Sequence, residues 1–152
     1  MELEGDGDIP ISHKRITADE YIDFLKRTDL GSQYPKERFR ERIEKLVQNV
    51  PISIAARAGD GQLIGVCFAI TDFAYWLFLT DLGVDRRYVH RGIGKSMVDM
   101  AMEAAGGKES IIMYTCANEN AIPFYEKIGM KPAKDMMELN EAEWTSFVVE
   151  EE

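Results

Sequence analysis

The sequence predicts an α/β fold, an α+β sandwich built on one central sheet. Three observations carry this. The hydrophobic period switches between 2 and 3.6 residues in the order β-α-α-β-β-β-α-β-α-β. The strands in the middle of the chain are continuous apolar runs, which suits a sheet covered on both faces. The chain has 152 residues, 45% apolar, with no internal repeat or low-complexity linker, so residues 1–152 make a single domain with its own core.

Each element has a local reason. Residues 9–16 open with alternation (Ile9 and Ile11, then His13 and Arg15) and read as a first strand. Thr17 and Glu20 form a capping box for a helix through about Arg27, with Tyr21, Ile22 and Leu25 inward. Residues 31–35, Gly-Ser-Gln-Tyr-Pro, break it. A second helix spans about 36–49, where Phe39, Ile43, Leu46 and Val50 recur at helical spacing and Glu41–Lys45 pairs on the solvated face. Strands over 51–58, 63–70 and 75–84 follow, joined by the turns Gly59-Asp60-Gly61 and 71–74. Residues 93–105 form a helix with Ile93, Met97, Ala101 and Ala104 on one side, closed by Gly106 and Gly107. A strand at 111–116 and a helix at 118–128, ended by Gly129, come next. Residues 130–139 read as one or two edge strands, and Asn140 as the cap of a short helix carrying Trp144 and Phe147.

Composition excludes several function classes. The net charge of −9 belongs to the ends: residues 1–8 and 138–152 hold ten acidic and no basic residues, leaving 17 acidic against 18 basic in 9–137. Residues 1–8 and 150–152 read as solvated acidic tails, and such ends repel phosphate backbones, so no nucleic-acid partner is expected. Cys67 and Cys116 lie in apolar runs without paired zinc-ligand spacing, and the only histidines are His13 and His90, so no metal is expected. Both cysteines read as reduced core residues of a cytoplasmic protein. The acidic N-terminus has no signal-peptide pattern and no apolar run is long enough to span a bilayer, so no membrane partner is expected either.

The informative stretch is residues 84–96, where a strand ends, a basic loop follows and a glycine pair opens a helix. Gly92 and Gly94 let backbone N–H groups approach an anion with no Cβ in the way, and the helix N-terminus favours negative charge, which suits a pyrophosphate. Arg86, Arg87, Arg91 and Lys95 stand nearby as cations for a further phosphate. Neither common nucleotide motif is present. GxxxxGK[ST] needs glycine at position 89, which is Val89, and GxGxxG needs it at 97, which is Met97.

Two patterns do match. Val84, Tyr88, Gly92 and Gly94 fit V-x-x-x-Y-[QR]-x-x-G-x-[GA], and Asn118, Ala121, Tyr125, Glu126, Lys127, Gly129 and Met130 fit N-x-x-A-x-x-x-Y-E-K-x-G-[FM]. In both spacing and order these resemble the GNAT superfamily of N-acetyltransferases, over roughly residues 79–130. The resemblance implies a central mixed, mostly antiparallel sheet splayed at its fourth and fifth strands, with helices on both faces. It further implies acetyl-CoA as acetyl donor and direct attack by a primary amine in a ternary complex, with no metal.

The site the resemblance implies can be written residue by residue. Leu82, Gly83 and Val84 would offer backbone groups to the pantetheine arm and thioester. Val89, His90, Arg91, Gly92, Ile93, Gly94, Lys95 and Ser96 would hold the pyrophosphate; Val89 replaces the family's Gln or Arg, keeping the backbone N–H and losing a side-chain bond. Asn118, Ala121, Phe124 and Tyr125 would line the cofactor from the following helix. The Tyr125 hydroxyl would protonate the departing thiolate, the other reading being plain packing. Asn118 is either a pantetheine ligand or a helix cap, and His90 is either part of the loop's grip or a solvent-facing residue. Asp81 is either the base or a core hydrogen-bonding residue, since strand alternation sets it opposite Thr80 and Leu82, and Asp72 and a water chain are the alternative bases. Phe73, Tyr75, Trp76 and Phe78 read as core or as an acceptor wall, and Trp144, Phe147, Val148 and Val149 as a homodimer surface or as cover for the chain's own sheet. A non-catalytic acyl-CoA-binding regulatory module is the alternative function.

Overall fold

The apolar runs of the middle of the chain become the inner strands of a sheet. In this computed structural model, residues 2–3, 9–30, 34–141 and 149 are described. The strands are β1 Glu2–Leu3, β2 Ile9–His13, β3 Ile52–Arg57, β4 Leu63–Thr71, β5 Trp76–Val84 and β6 Ile112–Thr115, in that spatial order. All neighbours are antiparallel except β5 and β6, which run parallel. Helices α1 Ala18–Leu25 and α2 Phe39–Asn49 cover one face, and α3 Ile93–Ala105 with α4 Ile122–Lys127 cover the other. This is the expected mixed sheet, its splayed strands being β5 and β6 because Glu2 and Leu3 add a strand inside the stretch read as tail.

Local signals translate directly. The Thr17 capping box forms with both of its bonds. Helix α3 occupies the expected residues and ends on Gly106 and Gly107, both with positive φ, whose N–H groups return to Met102 O. A Cβ at Gly65 would lie 3.0 Å from the Ala56 Cβ and 3.1 Å from Met97 Cε, so this glycine lets α3 seat closely on β3 and β4.

Four expectations need correction. No strand forms at 130–139; residues 131–141 are exposed and outside regular structure. Cys116 is exposed, because β6 stops at Thr115 and the chain leaves the sheet before reaching it. The aromatic run is not core: Phe73, Tyr75 and Trp76 lie at the exposed turn before β5 and at its start. Helix α4 is shorter than the expected 118–128 because residues 118–121 form a turn leading into it. The breaker residues 31–33, most of the C-terminal helix with Trp144 and Phe147, Val148, and residues 150–152 lie outside the described residues. Val149 is buried with Ile16, Tyr21 and Leu25 in the cluster under α1 and α2, so that residue covers the chain's own sheet. Among the described residues no helix is long and apolar enough to cross a membrane.

The end of β5 is tied to α1 through charge. Asp85, 1% exposed, accepts from Arg27 Nη1 at 2.7 Å, Arg87 Nη2 at 3.0 Å and the Arg87 N–H at 2.9 Å. Next to it Arg86 bonds the Thr28 and Lys26 carbonyls, closing the C-terminal end of α1. Burial pushes the Asp85 carboxyl up, but the Arg87 and Arg27 bonds outweigh it and hold the group at about 2. Against an unfolded value of about 3.9, a lowered folded pKa stabilises the fold above about pH 4, and the contribution disappears as pH falls toward 2. Asp85→Asn should therefore cost about 3 kcal/mol at pH 7, and in chemical denaturation from pH 7 to pH 2 the variant should lose less stability than wild type. Parallel pH profiles would refute this origin of acid sensitivity.

Candidate active site

The site begins with one extra residue in β5. Phe68 faces Asp81 and Ala69 faces Leu79, so Thr80 is a bulge. Leu77 and Leu79 point into the core under α3, and past the bulge Leu82 and Val84 do so instead. Asp81 and Gly83 turn to the other face, where a Cβ at Gly83 would meet the Leu30 and Phe24 side chains. Pairing of β5 with β6 ends at Leu79 and Thr115, although β5 continues to Val84. The Asp85 N–H bonds Ile64 O at 2.8 Å, and antiparallel alternation then turns the Gly83 backbone toward β4. The backbone groups of Leu82 and Val84 point the other way, into the gap that β6 has left.

That gap is a cleft of about 180 Å3 lined by Leu82, Gly83, Val84, Gly94, Ala121, Phe124 and Tyr125. All seven are among the residues singled out from sequence, drawn from β5, α3 and the α4 region. Gly94 sits where a Cβ would come within 3.3 Å of the Phe124 ring, so it keeps the α3 end of the cleft open. The loop before α3 turns through His90 (φ 64°) and Gly92 (φ 82°), and the first N–H groups of α3 have no preceding helical carbonyl to bond. Ser96 N–H returns to Gly92 O at 3.1 Å. Ile93 is buried in the core, so it can serve a ligand only through its backbone, whereas Val89 and His90 are exposed.

The cations expected to serve phosphate are largely engaged elsewhere. Arg86 bonds Asp29 Oδ1 at 3.0 Å as well as the α1 carbonyls, and Arg87 bonds Asp85 and Gln62. Lys95 pairs with Asp99 at 2.7 Å on the solvated side of α3, and the Arg91 guanidinium lies 5.0 Å from the Tyr88 ring centre. Asn118 Oδ1 accepts the Ala121 N–H at 2.9 Å, so this side chain caps the turn into α4.

Tyr125 lines the cleft. Burial raises its phenol above the ordinary value, the Cys67 and Asp81 fields act in the same direction, and the neighbouring Thr115 hydroxyl partly opposes them. The phenol therefore keeps its proton through the neutral range. Asp81 is not part of this lining. It is 4% exposed on the opposite face and accepts a short hydrogen bond from the Tyr34 hydroxyl, which lies 2.7 Å from that of Tyr21. Asp72 is a turn residue: its Oδ1 accepts the N–H groups of Ala74, Tyr75 and Trp76, which lower its pKa and make it a poor base. Sequence reasoning missed Tyr34, the bulge at Thr80 and the Thr115 hydroxyl beside Tyr125. A buried-strand aspartate at position 81 was the signal that a donor must exist across the fold.

The profile of the acetyltransferase (GNAT) family matches residues 18–130. No curated protein matches the sequence. Among solved structures, a GNAT family acetyltransferase from Streptococcus pneumoniae TIGR4 superposes with a TM-score of 0.66 at 19% identity, covering 88% of this chain and 99% of that one. AAC(6')-Iy, solved with the bisubstrate analogue CoA-S-monomethyl-acetylneamine, gives 0.67 at 18% identity over 90% and 99%. The PaiA N-acetyltransferase of Thermoplasma acidophilum, solved with coenzyme A, gives 0.58 at 19% identity over 84% and 93%. The structural likenesses establish the fold, and the profile match spans most of the chain. The protein belongs to the GNAT family of acetyltransferases.

Proposed function

We propose that the protein transfers the acetyl group of acetyl-CoA to a primary amine by direct attack, with both substrates bound together. The observation that carries this is the cleft between β5 and β6, where an exposed peptide edge, a helix N-terminus and a half-buried phenol converge. The neamine-derived bisubstrate analogue held by AAC(6')-Iy supports the same arrangement of donor and amine. Two free cysteines, Cys67 and Cys116, fit the reducing setting of the cytoplasm.

Each part has a defined task. Backbone groups of Leu82 and Val84 bind the pantetheine arm and polarise the thioester carbonyl, so that charge developing on its oxygen meets a fixed N–H. The 89–96 loop and the first turn of α3 take the pyrophosphate, chiefly through backbone N–H groups, because Arg86, Arg87 and Lys95 already have partners. An amine with pKa near 10 is about one part in a thousand uncharged at pH 7, so a base is needed, and Asp81 takes its proton. The amine nitrogen bonds the acetyl carbon, the C–S bond breaks, Tyr125 gives its proton to the thiolate, and the second proton that the nitrogen sheds as the amide forms restores the Tyr125 phenol. Cys116 needs no part in this, since no acyl-enzyme forms.

A screen of primary amines for acetyl-CoA-dependent thiol release tests the activity. Coenzyme A binding with no amine-dependent release would favour the non-catalytic acyl-CoA module. Gly94→Val should weaken CoA binding strongly in calorimetry by filling the cleft beside Phe124; equal affinity would remove the loop from the site. Tyr125→Phe keeps the ring and removes the donor. It should lower kcat by about 10²–10⁴-fold with CoA affinity and Tm little changed. Because the phenol pKa is raised, wild type should show no loss of rate from phenol ionisation below about pH 10. Wild-type turnover by Tyr125→Phe, with chemistry rate-limiting, would reduce Tyr125 to packing.

A further inference from the structure

We infer that Tyr34 is a positioning residue for the acceptor's proton: it holds the Asp81 carboxylate in the orientation that receives the proton, and Tyr21 holds Tyr34. This rests on the reading of Asp81 as the base.

A phenol carries a single proton. Tyr34 donates its O–H to the Asp81 carboxylate, and its oxygen lies 2.7 Å from the Tyr21 hydroxyl. Tyr21 also bonds the Asp81 carboxyl, so the two phenols and the carboxylate form one buried polar group. A carboxylate 4% exposed has lost most of its hydration, and these bonds restore part of it without a mobile water. Both phenols are themselves held protonated by burial, so neither donor fails at working pH.

The rings leave the hydroxyls little freedom. Tyr21 packs against Phe68 at 5.0 Å and edge-on to Tyr34 at 6.2 Å, and Phe68 is the residue opposite Asp81 across β4 and β5. The residue that faces Asp81 in the sheet therefore also fixes the phenol that orients its donor. The titratable groups facing Asp81 are Tyr21 from α1 and Tyr34 from the α1–α2 connection, while Cys67 on β4 and Tyr125 on α4 act on it through the sheet from the other face. Asp81 and Tyr125 stand on opposite faces at the point where β5 and β6 part. In the reaction one ammonium proton passes to Asp81, the N–C bond forms, the C–S bond breaks, the thiolate takes the Tyr125 proton, and the second nitrogen proton restores the Tyr125 phenol as the amide forms; the Tyr34 proton stays on Tyr34 throughout. Removing the Tyr34 donor therefore leaves the acetyl carbon, the sulfur and the Tyr125 hydroxyl in place and changes the hold on the Asp81 carboxylate and its affinity for a proton.

The test is Tyr34→Phe in the full chain, read in two ways. Carbon-13 NMR titration of the Asp81 carboxyl needs no acceptor, and loss of the donor should raise its midpoint by about one pH unit or more. The acid limb of kcat/KM, measured with a primary amine that wild type acetylates, should move up by the same amount, with acetyl-CoA affinity unchanged. An unmoved carboxyl titration overturns the inference. So does a moved titration with an unmoved acid limb, which would make Tyr34 a partner that only satisfies a buried group. If Tyr34→Phe fails to fold, Tyr21→Phe removes the other hydroxyl of the group and should shift both readouts in the same direction; no shift overturns the inference. Asp81→Asn separates the two levels. Wild-type rates in that variant would remove Asp81 as base and this inference with it, whereas an inactive Asp81→Asn beside a silent Tyr34→Phe would remove Tyr34 alone.

Discussion

The extra residue in β5 sets where everything else in the site can be. A strand with strict alternation would carry Leu77, Leu79, Asp81 and Gly83 on one face, placing a carboxylate in the core under α3. The bulge at Thr80 reverses the faces midway, so Leu82 and Val84 take over the α3 side and Asp81 moves under α1 and α2. The same irregularity coincides with the end of β5–β6 pairing, which leaves a stretch of peptide edge facing a gap instead of a neighbour. An edge with unsatisfied N–H and C=O groups is normally a liability. Inside a fold, lined by Phe124 and Tyr125, it becomes a place for an extended amide-bearing ligand.

Two further constraints keep that gap the right size. Gly65 allows α3 to lie close on β3 and β4, and Gly94 allows α4 to lie close on the first turn of α3. Asp85, immediately beyond β5, binds Arg27 and Arg87 and so fixes the strand's end against α1. The basic character of the loop is then mostly structural. The anion-binding capacity that remains is that of backbone N–H groups at a helix start, where glycine matters more than arginine.

Much of this was legible in the residues. The Thr17–Glu20 capping box, the closing glycines of α3 and the uninterrupted apolar strands are local signals, and each element formed where its signal stood. The cleft residues were legible because the two motifs mark the elements that build it. What was not legible depends on distant partners. A bulge has no local signature in the segment Leu79-Thr80-Asp81-Leu82, and the bond from Tyr34 to Asp81 spans 47 residues. Arg86 looked available because its partners, Asp29 and the carbonyls at the end of α1, lie far off in sequence. Arg87 looked so because its bond to neighbouring Asp85 depends on the fold that buries that carboxylate. Cys116 and the aromatic turn looked like core because short apolar runs do not reveal whether a further strand covers them.

The most direct test of this account is amide hydrogen exchange at Leu82, Gly83 and Val84, followed by NMR with and without saturating coenzyme A. Alternation past the bulge predicts that in the free protein Leu82 and Val84 exchange faster than Gly83, whose N–H points to β4, and that coenzyme A slows both by about tenfold or more while leaving Gly83 little changed. Equal protection of all three residues in the free protein, or no slowing at Leu82 and Val84 when coenzyme A is bound, would contradict it.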